Sequence, residues 1–120
     1  MAVASKLAFS ESSNGRLIRL EATGTPGTLI HLTPTTNVKD VVHLWAQLLD
    51  TATSRTLSIE WGGTATLDIM TFFLGSGTLA TGMVKVIDGW PLTTASGLTV
   101  RAFSTATDTV FIGGFVNRFT

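Results

Sequence analysis

His31 and His43 are the only side chains in this sequence that titrate near neutral pH, so any acid–base chemistry has to begin with them. Nucleophilic catalysis would need one of them beside a serine and an orienting acid. Neither stands in a glycine-flanked serine motif, and most serines fall in turns, which leaves a histidine on a strand face with a local hydrogen bond as the simpler reading. A metal site would have to draw on His31, His43 and Asp40, brought together by strand pairing without an i, i+2 or i, i+4 ligand pair. Paired carboxylates are weakly represented: Glu60 and Asp68 sit on limbs that face each other, and a polar cross-strand face explains them equally well. Gly75-Ser76-Gly77 lacks the lysine and following helix of a phosphate loop. Trp45, Trp61 and Trp90 remain as aromatic surfaces. Core or interface packing is their commoner use, and sugar stacking the rarer one; Trp61, beside two glycines, and Trp90, in an expected turn, are the two best placed to be seen from outside.

The elements that would carry these residues are strands. In Arg55–Leu74, Leu57, Ile59 and Trp61 alternate with Thr56, Ser58 and Glu60, and Leu67, Ile69, Thr71 and Phe73 alternate with Thr66, Asp68, Met70 and Phe72. A three-residue loop, Gly62 to Thr64, places Ile59 opposite Leu67 and Leu57 opposite Ile69, pairing apolar with apolar. Residues 37–50 fit both periods. Val38, Val41, Val42, Trp45, Leu48 and Leu49 follow helical spacing, while Val42, Leu44, Ala46 and Leu48 follow a strand face; the β character of every other segment favours strand. Further strands are expected over Arg16–Ala22, Thr28–Thr33, Gly82–Ile87, Leu98–Phe103 and Val110–Phe119, with Asp88-Gly89-Trp90-Pro91 as a turn and Gly113-Gly114 as a bulge or a close backbone approach. The expected fold is all-β: a single antiparallel β-sandwich of jelly-roll type with eight or nine short strands. Residues 1–13 read as an N-terminal arm or tail, in which Leu7 and Phe9 are candidate contacts for a neighbour, and residues 14–120 as the sandwich domain.

Composition narrows the function. At 120 residues with no cysteine, one domain must be held by packing or by assembly. Twenty-one threonines and twelve glycines favour strands and turns. Eight basic and eight acidic residues cancel, and the sequence contains no run of Lys or Arg, which argues against nucleic acid as a direct partner. The N-terminus lacks a secretion signal, and Val41–Leu49 is too short to span a bilayer, so a cytoplasmically made protein without a membrane partner is expected. A mean hydropathy of +0.39 is high for a small domain and suggests apolar surface covered by other copies.

Three stretches, VVHLWAQ (Val41–Gln47), TLSIEWGGT (Thr56–Thr64) and GLTVRAFSTATDTVFIGGFVNRFT (Gly97–Thr120), carry a family resemblance. The chain resembles small all-β structural proteins of tailed bacteriophages, which have strands of the form TLTIEWGGT and GLxVRAFA and a C-terminal strand ending in GYVNRIT. Phe115 replaces the expected tyrosine and Phe119 a β-branched residue, both apolar exchanges. The resemblance covers the chain after about Val41 and implies a virion component without catalytic residues or cofactor. A capsid decoration or cement protein is the first reading, homo-oligomeric, a trimer being one form, and bound to the major capsid protein. A tail or fibre module that contacts host glycan through Trp61 or Trp90 is the alternative.

Overall fold

The segment that fitted both periods is a strand. The computed structural model describes residues 4–49, 52–76, 82–94 and 97–120, and in it residues 38–48 form a strand whose residues 39–48 pair with residues 110–119 without a break. The strands are β1 (Ala4–Leu7), β2 (Ile18–Arg19), β3 (Thr28–Leu32), β4 (Val38–Leu48), β5 (Arg55–Trp61), β6 (Ile69–Leu74), β7 (Val84–Thr94), β8 (Thr99–Ser104) and β9 (Val110–Phe119), with 3-10 turns at Ser13–Gly15 and Thr66–Asp68. They form two sheets. One has the order β1-β9-β4-β7, with β2 also on β9, and the other β3-β8-β5-β6; every pairing is antiparallel. The two sheets pack face to face as a β-sandwich.

Alternation decides what fills the space between them. Val42, Leu44 and Ala46 from β4 and Ile112 and Val116 from β9 point inward from the first sheet; Leu57 and Ile59 from β5 and Val100 and Ala102 from β8 point inward from the second. All are fully buried. Each Leu or Ile so placed stabilises the fold by roughly 2 kcal/mol relative to leaving it in water.

Four expectations are corrected. The β5–β6 hairpin pairs Ile59 with Met70 and Leu57 with Phe72, not with Leu67 and Ile69. The loop is longer because Thr66–Asp68 closes a 3-10 turn, in which the Asp68 carboxylate accepts the Ala65 N–H at 3.2 Å. The displacement of three residues is odd, so the faces of the second limb exchange: Met70 and Phe72 pack on the core, and Phe73 is left 67% exposed. Secondly, Asp88–Pro91 is no turn; β7 runs through it and absorbs the extra residues in two register shifts against β4. Thirdly, simple alternation sets Ile30 and Leu32 on one face and Leu29 and His31 on the other, yet Ile30 and His31 are both buried, because β3 shifts register against β8 between Leu29 and His31.

The fourth concerns the N-terminal segment. β1 pairs with the end of β9, Ala4 opposite Phe119 and Leu7 opposite Val116, so residues 4–7 belong to the sandwich instead of forming a free arm. Phe9 is 2% exposed within this chain's own core, with Leu7 packed against it. Its ring is taken up by the core of the sandwich. Met1–Val3 of the expected arm lie outside the described residues, as does Gly77 of the Gly75–Gly77 turn. At Gly113-Gly114 the β4–β9 register runs without a shift, so the pair marks a close approach and not a bulge. A Cβ on Gly114 would fall 2.1 Å from the His43 carbonyl oxygen, and its φ of +145° suits only glycine.

Candidate functional site

The histidines separate. Because β3 directs His31 inward and β4 directs Asp40 inward, His31 Nε2 meets Asp40 Oδ2 at 2.8 Å, with both side chains buried. Arg118, opposite Asp40 on β9, donates from Nε to Oδ1 at 2.8 Å and from a terminal nitrogen to Oδ2 at 2.9 Å. Burial opposes ionisation of Asp40, but the hydrogen bonds from Arg118 and His31 outweigh it and hold the carboxyl below the ordinary carboxylate range. On the far side of the ring, His31 Nδ1 accepts the backbone N–H of Ser10 at 3.0 Å, which fixes the tautomer with the proton on Nε2. Ser10 Oγ in turn accepts the Leu32 N–H at 2.8 Å. Serine, histidine and aspartate thus come together, yet both ring nitrogens are engaged and the serine reaches the ring through its backbone. The cluster ties the N-terminal segment to β3, β4 and β9.

His43 lies on the opposite, outer face of β4, stacked on Phe115 at 4.7 Å between ring centroids. It is thereby separated from His31 and Asp40, and among the described residues no group of three His, Asp or Glu side chains converges as a metal site would require. Glu60 and Asp68 also go separate ways. Glu60 sits beside Ile69 and Arg101 in its sheet but is fully buried: Oε1 accepts the Gly27 N–H at 2.5 Å, while Oε2 has no hydrogen-bond partner among the described residues. Arg101 donates to the Gly27 carbonyl at 3.0 Å. A Cβ at Gly27 would stand 2.6 Å from the Ala102 carbonyl oxygen, so the tight cover over Glu60 depends on glycine.

Trp61 and Trp90, expected at two separate surface points, meet. Trp61 from β5 and Trp90 from the edge strand β7 contact edge to face, with centroids 5.8 Å apart at 87°, and join the two sheets; Trp90 is 43% exposed. Close by in the chain, Leu67 at the tip of the β5–β6 loop is 99% exposed.

The outer face of the first sheet has a pattern that sequence reasoning missed. Lys6 Nζ lies 4.2 Å from the centroid of Phe115, Lys85 Nζ 4.6 Å from Trp45, and Lys39 Nζ 5.4 Å from Phe119, while the Arg19 guanidinium lies 5.4 Å from Phe111. The outward residues of β9, Phe111, Phe115 and Phe119, recur in steps of four, and that spacing is the one sequence signal for an aromatic face. Its cations come from four different strands. Lys85 also binds Asp88 at 2.6 Å and holds that exposed carboxyl below its ordinary range. A cleft of about 360 Å³, lined by Asn37, Val38, Lys39, Thr93, Phe119 and Thr120, opens at one end of this face.

Comparison with family models, curated proteins and solved structures finds no match for this chain.

Proposed function

We propose that this chain is a structural protein of a tailed-phage virion, a decoration or cement protein that binds the assembled head through the major capsid protein and reinforces it through contacts between its own copies. The observation that carries the reading is the apolar surface of the β5–β6 hairpin. Leu67 is 99% and Phe73 67% exposed, both on the limb that follows the TLSIEWGGT motif. Apolar side chains left this exposed become favourable when a neighbouring subunit removes them from water. The resemblance supplies the virion context.

Connectivity supports the same reading. Counting β1 and β2 as one interrupted strand along β9 gives eight strands, whose sheets run first-eighth-third-sixth and second-seventh-fourth-fifth. We infer from this order a jelly roll, an architecture that recurs in viral capsid and lectin domains. The glycan-binding alternative has less to stand on, because Trp61 and Trp90 turn toward the gap between the sheets and contact each other edge to face instead of lying side by side as a platform.

The test is mass spectrometry of washed particles and of tailless heads from the same lysate, alongside sedimentation of the purified chain. Presence on tailless heads together with a sedimenting oligomer is expected. A monomer absent from both particle preparations would overturn the proposal, and presence on whole particles alone would move it to the tail.

A further inference from the structure

We infer that the outer face of the first sheet docks onto an acidic protein surface. Lys6, Arg19, Lys39 and Lys85 all project from this face, and Asp88 is the single carboxylate among the outward positions of its strands. Four positive charges against one give +3 on a chain whose net charge is zero. The cations are held over a floor of half-buried rings. Each cation–ring contact restrains an otherwise flexible arm, which lowers the entropy lost when that arm pairs with a carboxylate. A protein surface bearing Asp and Glu among small apolar groups would neutralise the charge and cover the rings in one contact. The cleft beside Lys39 and Phe119 gives one such carboxylate a recess to enter.

Single-stranded nucleic acid fits less well, although it too is acidic. Its affinity for aromatic surfaces comes from bases stacking on bare ring faces. Here a cation already stands over Phe111, Phe115, Phe119 and Trp45, and Phe115 is stacked on His43 as well. The chemistry of the partner does not depend on the virion reading; only its identity as a capsid surface rests on that proposal.

The experiment uses the full chain with poly-L-glutamate as the acidic polypeptide probe and oligodeoxythymidine as the competing polyanion, followed by fluorescence anisotropy across a salt series. Poly-L-glutamate binding is expected to weaken with salt and to fall by about tenfold or more in Lys39→Glu/Lys85→Glu. Arg16→Glu, which removes an exposed cation outside the strands, should change it by less than about threefold. Lys39→Gln/Lys85→Gln keeps the stems over the rings and serves if the charge reversal prevents folding. Unchanged binding in both double variants, or tighter binding of oligodeoxythymidine at equal charge, overturns the inference. A chain that binds poly-L-glutamate through this face but is missing from particles removes the virion proposal and leaves the face intact; a chain present on heads whose double variants bind the probe normally does the reverse.

Discussion

Asp40 and Arg118 stand directly opposite each other on β4 and β9 and close a two-pronged ion pair at 2.8 and 2.9 Å inside the sandwich. With His31 on the same carboxylate, three strands and the N-terminal segment share one buried polar junction.

Acid should weaken the fold through this junction. The folded-state pKa of Asp40 lies below its ordinary value of 3.8, so the unfolded chain takes up the proton first. Its stabilisation is full above that value and is lost as pH falls through the folded pKa. Asp40→Asn should cost about 3 kcal/mol at neutral pH, since it leaves Arg118 without its charge partner. It should also flatten the decline in urea midpoint as pH falls below about 4. A variant that loses stability with acid as steeply as the wild type would place the effect on other carboxylates.

The Trp61–Trp90 contact should appear as a coupling. In a double-mutant cycle with Trp61→Leu and Trp90→Leu, the interaction energy is expected to be about 1 kcal/mol in thermal or urea unfolding. Simple additivity would mean that the edge-to-face geometry adds nothing beyond burial.

Two adjacent glycines should respond differently. Gly114→Ala drives a Cβ into the His43 carbonyl at a φ that side chains avoid, and a loss of about 4 kcal/mol or failure to fold is expected. At Gly113 the obstructing atom is the end of the half-exposed Leu17 side chain, which can move, so Gly113→Ala should cost about 1 kcal/mol. Urea midpoints of the two variants provide the comparison, and equal losses would contradict the close approach at residue 114.

Phe9→Ala and Leu67→Ser should separate folding from assembly. The first removes a core side chain and should cost about 3 kcal/mol. The second changes a fully exposed position and should shift stability by less than about 0.5 kcal/mol while lowering the sedimenting oligomer fraction. An oligomer unaffected by Leu67→Ser would remove the hairpin tip from the contact surface.

Period-two alternation by itself determined that this chain forms strands and which residues of β4, β5 and β8 face inward, because a strand's two faces are set by neighbouring residues in the chain. Residues 38–48 fitted both periods, and it was the β character of the rest of the chain that favoured the strand they form. Registers were less legible. Asp68 forms a local hydrogen bond in the β5–β6 loop that lengthens it, and an odd displacement reversed the faces of β6 and put Phe73 in water. Only the tertiary structure decided that Asp40 meets both His31 and Arg118, that Glu60 is buried under Gly27, and that four scattered cations gather over the rings of one sheet face. The physical reason is shared by all three. Antiparallel pairing in a sandwich sets residues as distant in the chain as Lys39 and Phe119 side by side, and charge or burial created by such long-range pairing leaves no trace in local sequence.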